Sequence, residues 1–382
     1  MKNKRLNELM AGATDDSALE SLPVSGAVTS IPPGIYGTVD IEQMSGGRKW
    51  QGLAPDRLRR QLPLGSTSGK FLRFTFDEAR AWGQYFSTPL LRPEHASAYV
   101  LSICVAGRED GRAQALAANV IQGLALTGYS VLLVDHSPAG GLAARFGARA
   151  STDALLNSFA PYWREQGLLE QQEMAETLIA ETCWPGVTAV YSGGEYAAIS
   201  RVSSLARGIS QLMDLRWLTE KLCKPSIGND VVVVYAGGDY AAGCTGLQSI
   251  LAADGLLLFA NDRGEFGHLR DHVSRDLSAL SDAGLEVEVQ DLMAVAAGGV
   301  EADSVTGSTG SAFVVEGSSV FEDGPFGVGK RDYAVRSAQW YRLIRHIQAQ
   351  AAHCWRMRAE RVLSEALGDV CAELACDKRH TP

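Results

Sequence analysis

The sequence has no paired-cysteine motif, no long apolar run and no excess of positive charge. Its seven cysteines (Cys104, Cys183, Cys223, Cys244, Cys354, Cys371 and Cys376) are scattered, odd in number and never spaced C-x-x-C. That excludes the disulfide framework of a small secreted domain and leaves reduced thiols of a cytoplasmic protein as the expectation. No run reaches the roughly 18 apolar residues of a membrane span. Met1 to Arg5 is basic, but no apolar core follows it, so no signal peptide is expected. A net charge of −9 excludes a global basic field, so any contact with nucleic acid has to come from local patches. The histidines form no metal-ligating pattern. His268 and His272, four apart on one expected helix face, read as solvated surface, and no metal site is assigned. What is present is ordinary for a globular chain: 46% hydrophobic and 21% charged residues over 382 positions, enough for one large α/β domain and a smaller one.

Residues 1–50 are rich in Gly, Ser, Thr, Asp and Pro with little periodicity and read as a disordered tail. Residues 51–97 read as a small helical region and linker. Pro55 suits a first helical position, and Arg57, Leu58, Arg59, Arg60 and Gln61 follow in a short basic helix. Gly65 to Gly69 reads as a polar loop. Thr75-Phe-Asp-Glu78 is a capping box that starts a helix running to about Tyr85. Residues 98–365 alternate apolar runs with helical stretches. The expected strands are Val100–Val105, Val131–Val134, Val187–Tyr191, Val231–Tyr235, Leu256–Phe259 and Leu285–Val289. Most are continuous apolar runs, as for strands buried on both faces. The alternation implies an α/β fold with a doubly wound, mostly parallel sheet. Residues 366–382 read as a C-terminal tail.

The first strand, turn and helix have the outline of a phosphate-binding unit. Val100–Val105 meets Gly107 to Gly111, then a helix face of Leu116, Ala117, Val120, Ile121 and Leu124. Val131–Val134 follows and ends in Asp135. A phosphate-binding loop needs Lys and Ser or Thr after its last Gly, yet Arg112, Ala113, Gln114 and Ala115 stand there. The stretch Gly65–Lys70 is no displaced copy. It has three residues instead of four between Gly65 and Gly69-Lys70, Phe71 follows, and no strand precedes it.

Residues 330–361 carry a net +6. Lys330, Arg331, Arg336, Arg342, Arg345, Arg356, Arg358 and Arg361 oppose only Asp332 and Glu360. Trp340, Tyr341, Leu343, Ile344 and Ile347 supply an apolar face. One or two amphipathic helices fit this pattern. The basic side reads as a solvated helix face, as a surface for phosphate backbones, or as a membrane-surface helix.

These segments resemble the ParA/MinD family of deviant P-loop ATPases, and within it the RepA-type plasmid partition proteins, over about residues 51–360. The family's first strand ends in a loop written KGGxGKTT, followed by a helix with Asn on its third turn. Setting Asn119 on that Asn aligns the loop with Arg108 to Ala115. Arg108 then stands at the signature lysine and Gly111 at the variable position. Arg112 replaces the last Gly, Ala113 the P-loop Lys and Gln114 the Mg²⁺-binding Thr. VLLVDHSPAGGLAARFG is similar to the family's VLLIDxDPQxxLxxxFG: Asp135, Pro138 and Phe146 match, and Ser137 replaces the second Asp. NDVVVVYAGG resembles YDVVVIDxPP, with Tyr235 at the Walker-B Asp. The segment from Leu53 to Trp82 resembles the family's N-terminal part, where a helix with an LRR-like turn and an F-T-x-x-E helix belong to a helix-turn-helix-like DNA-binding region.

The resemblance implies a cytoplasmic, nucleoid-associated protein of plasmid or chromosome partitioning that forms a homodimer, binds DNA nonspecifically and meets a ParB-like or ParA-like partner protein. Its DNA-binding candidates are Arg57, Arg59, Arg60, Arg342, Arg345, Arg356 and Arg358. The altered loop argues against ATP/Mg as a cofactor and leaves no catalytic residue. Ala113 removes a charge, and Glu109 and Asp110 add two carboxylates. Two like charges about 4 Å apart cost on the order of 4 kcal/mol at an effective dielectric of 20. A charge-assisted hydrogen bond returns only ~1.5–3 kcal/mol. The expectation is a pseudo-ATPase. The alternatives are a non-DNA scaffold or positioning protein on the same fold, and an ATPase with a shifted site, for which Asp239 is the available carboxylate.

Overall fold

A computed structural model describes residues 36–87, 90–106, 111–135, 142–143, 146–148, 179–191, 223, 227–235, 237, 249–250, 253–260, 263–282, 291–297, 311–315 and 333–377. The larger part is built on an eight-stranded sheet. Its strands are β4 (Tyr99–Val105), β5 (Val131–Asp135), β6 (Ala180–Glu181), β7 (Val187–Tyr191), β8 (Val231–Tyr235), β9 (Gly255–Ala260), β10 (Asp291–Ala297) and β11 (Ser311–Val315). They lie in the order β11-β10-β9-β4-β8-β5-β7-β6. All the pairings are parallel except that of the two-residue edge strand β6 with β7. The central strands are buried along their whole length, so each is apolar on both faces, as a sheet covered by helices on both sides requires.

Alternation along the strands sorts the core into two layers. Ile103, Val105, Leu257 and Phe259 join one cluster with helix α4 (Gly111–Leu126), and with Leu343, Ile344 and Ile347 of helix α6 (Tyr333–Asp377). Cys104, Leu256, Leu258 and Ala260 join the other with Phe266, Leu269 and Val273 of α5 (Arg263–Asp282). On the first face α4 and α6 approach so closely that a Cβ at Gly123 would lie 2.7 Å from the Ile344 side chain. Glycine is what permits that distance.

An N-terminal module packs on the same face. It comprises β1 (Tyr36–Gly37), α1 (Thr38–Met44), a 3-10 turn (Trp50–Leu53), α2 (Ala54–Arg60), β2 (Ser66–Ser68), β3 (Phe71–Phe74) and α3 (Phe76–Ser87). Its antiparallel sheet runs β1-β3-β2, and the Ser68↔Phe71 register makes Gly69-Lys70 a two-residue hairpin turn. The capping box forms as expected: the Thr75 N–H donates to Glu78 at 2.8 Å, and the Glu78 N–H to Thr75 Oγ1 at 3.3 Å. Glu42 of α1 accepts the Trp50 N–H at 2.8 Å, and Arg48 pairs with Asp56 of α2 at 2.6 Å, which fixes the turn between the two helices. Trp82 is fully buried at the module's centre, stacked near Trp50 and Phe86, with its indole N–H donating to the Pro63 carbonyl at 3.0 Å.

Several expected boundaries move. The tail read over residues 1–50 contains β1 and α1, whose Tyr36, Ile41 and Met44 are buried; residues 1–35 lie outside the described set. The loop expected at Gly65 to Gly69 holds β2. The strand expected at Leu285–Val289 lies outside the described residues, and β10 begins at Asp291. The C-terminal tail expected from 366 is helical to Asp377. Trp82→Ala removes the module's largest apolar contact and is expected to cost about 3–5 kcal/mol in urea unfolding. A loss below about 1 kcal/mol would mean that the module contributes little to the stability of the fold.

Candidate functional site

The positions singled out around the altered loop come together at one edge of the sheet. Chain excursions go to one side of β4 as far as β7, and after β8 they go to the other side. The carboxyl end of β4 is therefore a switch point, where open α/β sheets leave a crevice. Residues 107–110, including Arg108, lie outside the described set. Beyond them Gly111 and Arg112 open α4. Asp135, Tyr235 and Tyr191 end their strands level with one another, and Ile103 lies level with Tyr235 on the other side. The sequence alignment thus places its stations where the fold puts a ligand site.

What stands at those stations is packing and capping. Ala113, at the P-loop Lys position, is fully buried in the core beneath the first turn of α4, and Gln114 beside it is half-buried. Tyr235 is fully buried in the same core. Its phenol offers no carboxylate to a metal's water shell. Asp135 is also fully buried, and its Oδ2 accepts the Ala143 N–H at 2.8 Å. That ties the end of β5 to the backbone eight residues on, an ordinary use of a carboxylate at a strand end. Phe146 and Asn119 are buried too. Pro138, Ser137 and Asp239 lie outside the described residues. Among the described residues no group of three or more His, Cys, Asp or Glu could hold a metal ion. His268 is exposed, and His272 Nδ1 lies 2.9 Å from Arg275.

The seven arginines fall into separate groups. On α2, Arg59 and Arg60 are exposed and Arg57 is half-buried. Near them the hairpin exposes Lys70 and Arg73, and Leu58 and Phe71 stand out at 74% and 73% exposure. On α6, Arg342 and Arg356 are exposed, whereas Arg345 and Arg358 are drawn into contacts with the domain. Arg345 donates to the Met44 carbonyl at the end of α1 and to the Phe86 carbonyl of α3, the latter at 3.4 Å. Burial pulls its guanidinium below its ordinary pKa. Arg358 pairs with Asp254 and donates to the Ala98 carbonyl at 3.2 Å. Asp254 in turn accepts the Val100 N–H of β4 at 2.8 Å. Arg345 and Arg358 thus commit part of their donor fork to the domain, whereas Arg342 and Arg356 are exposed.

No family model matches the chain, and no curated protein matches it in sequence. Solved structures do. A partition protein is 12% identical, with 89% of this chain and 98% of that chain covered and a TM-score of 0.52. A variant of McdA from Cyanothece in complex with ATP is 13% identical, covering 65% and 96%, with a TM-score of 0.45. MinD in the MinC:MinD complex of Aquifex aeolicus is 14% identical, covering 65% and 96%, with a TM-score of 0.42. The chain shares the fold of that partition protein.

Within that fold the sequence passed over Lys70 and Arg73. The signal was available: Gly69-Lys70 between short extended segments is a hairpin turn that lifts a cation to its tip. Arg345 lies four residues after Tyr341, and Arg358 four after Cys354, so each neighbours a buried position on the helix. If Asp135 is a cap, Asp135→Ala leaves the Ala143 N–H without its acceptor and costs about 1–2 kcal/mol of stability. Thermal unfolding with and without Mg·ATP checks it: stabilisation of the parent chain, lost in the variant, would instead give Asp135 a ligand role.

Proposed function

We propose that this is a DNA-associated protein of the partition type that works without hydrolysing Mg·ATP. The observation that carries the reading is the conversion of the P-loop Lys and Walker-B positions, Ala113 and Tyr235, into fully buried core. Phosphoryl transfer depends on positioning and charge neutralisation by a Lys, a hydroxyl and Mg²⁺. A buried methyl group and a buried phenol supply neither. Asp135 would keep its fold role as a cap without the metal chemistry.

Support for DNA comes from the N-terminal module. α1 supplies the helix ahead of α2 that a helix-turn-helix arrangement needs. α2 would present Arg57, Arg59 and Arg60 to phosphates, and the adjoining hairpin would present Lys70 and Arg73. Arg342 and Arg356 would form a second, separate patch. A homodimer, a ParB-like or ParA-like partner protein and residence on the nucleoid belong to the same proposal. Among the described residues no helix is long and apolar enough to cross a membrane.

Calorimetry with ATP, with and without Mg²⁺, is expected to give no micromolar affinity and no turnover; a micromolar Mg·ATP complex with turnover would defeat the pseudo-ATPase reading. Duplex binding is expected to weaken with salt. Arg59→Ala and Arg60→Ala should each lower the salt slope by about 1. Arg358→Ala should lower stability by on the order of 2–3 kcal/mol, by stranding a buried carboxylate, without changing that slope. Binding indifferent to salt and to Arg59 and Arg60 would rule out the module as a phosphate-contacting surface.

A further inference from the structure

The hairpin of the N-terminal module is held tightly at its base and stands clear at its tip. β3 pairs with β1 through Tyr36↔Phe74 and Gly37↔Arg73, and Gly37 is the N-cap of α1. Phe74 is fully buried and Leu72 packs on the core. At Gly65, where the chain enters β2, an added Cβ would lie 2.7 Å from the Arg73 carbonyl oxygen. At Gly69, in the turn, an added Cβ would meet nothing within 4 Å. The alternation that turns Leu72 and Phe74 inward turns Phe71 and Arg73 outward. Phe71 therefore stands on the solvent face directly after the turn, opposite Ser68.

A single exposed apolar residue is normal on a protein surface. The surroundings of this one are not neutral. From Arg57 to Phe76 the chain has five cations and no carboxylate. Lys70 precedes the ring, and Arg73 shares its face. Across from that face stand Ser66 and Ser68, too small to cover a phenyl ring. Phosphates account for the cations but offer the ring nothing. Among phosphate-binding cations a phenyl ring finds apolar surface in the stacked bases, where wedges of this kind enter from the minor groove. We infer that Phe71 is such a wedge: on a duplex held by α2, the hairpin tip enters the adjoining minor groove, and Phe71 presses between two base pairs and bends the DNA. The wedge rests on the DNA reading of the module and adds to it a class of site, a duplex with an easily unstacked pyrimidine–purine step. Only five residues, 61–65, join α2 to β2, so helix and hairpin reach the same stretch of duplex. The tip suits a groove about 6 Å wide, because its Gly69-Lys70 turn carries one side chain. The edge strand β2 is polar and three residues long, a poor template for a strand of another protein. A lipid surface is met by an apolar face of several residues, whereas the outer face of this hairpin holds Phe71 among serines and cations.

The test uses the full chain and a short duplex with a central TA step, labelled at both ends for energy transfer and carrying a fluorescent adenine analogue beside the step. Binding of the parent chain is expected to raise the end-to-end transfer and the analogue's emission together. Phe71→Ala, at a side chain 73% exposed, should fold as the parent does by circular dichroism. It is expected to bind about tenfold more weakly and to give neither signal, at an unchanged salt slope. Phe71→Leu, still an apolar wedge, should keep both signals. Lys70→Ala should keep them too, while lowering the salt slope by about 1. If Phe71→Ala binds and bends the duplex as the parent does, while Arg59→Ala and Arg60→Ala still lower the slope, the wedge is overturned and the DNA reading stands. If no duplex is bound, both fall. Phe71-dependent binding to phosphatidylserine–phosphatidylcholine vesicles in place of duplex would assign the face to lipid and overturn the wedge.

Discussion

One helix holds the molecule together. α6 lies across both the N-terminal module and the sheet, and its polar ties fall at the joints between them. Arg345 closes the carboxyl ends of α1 and α3 with a single guanidinium, and Gln348 donates to Ser87 at 3.0 Å. One turn and more further on, the Trp355 indole N–H donates to the Ser97 carbonyl at 3.0 Å in the linker. Arg358 then reaches Asp254, which also accepts the Val100 N–H at the start of β4. Helix carboxyl ends carry unsatisfied carbonyls and a partial negative charge. A buried cation there answers both, and it does so for two helices that are far apart in sequence. Without α6 the module would keep its small core around Trp82 but lose the contacts that fix its direction relative to the sheet.

On the proposed reading, the crevice at the carboxyl end of β4 is a ligand site turned into interior. A buried lysine is costly unless an anion answers it, and a buried carboxylate is costly unless a cation or donors do. On the proposed reading, loss of the triphosphate removes the anion that made such charges tolerable. Ala113 and Tyr235 then suit the position better than charged residues would, because both complete the packing between α4 and the sheet. Asp135 is the carboxylate that stays, and it stays with a backbone donor of its own. On that reading the three positions are consistent with one another: two complete the core and one holds a backbone donor.

Much of this was legible in the sequence where burial imposes a simple rule. β4, β5, β7, β8 and β9 are continuous apolar runs and lie where those runs predict. The Thr75–Glu78 box starts α3 because the two side chains satisfy the same orphan donors in sequence and in space. Short elements were not legible. Tyr36–Gly37 and Ser66–Ser68 are too brief to show a period, and their pairing with β3 depends on a register that only the folded hairpin sets. Charge was the most misleading signal. Counting basic residues over 330–361 gives a patch, but Arg345 and Arg358 are half-buried and tied to carbonyls or to Asp254, while Arg342 and Arg356 are exposed. Net charge does not separate a tied arginine from an exposed one.

The orientation of the module has a functional consequence. In a switch driven by a nucleotide, the element that reads the ligand must have two arrangements that the ligand tells apart. Here α4 begins at the crevice, and its last turn packs closely on Ile344 of α6 at Gly123. α6 in turn clamps the module through Arg345 and Gln348. The chain of contacts from crevice to module is continuous, and at its first link stand the buried Ala113 and Tyr235. On the proposed reading, the face carrying Arg59, Arg60 and Lys70 is then held in one direction at all times. Control over DNA association would then have to enter from outside the crevice.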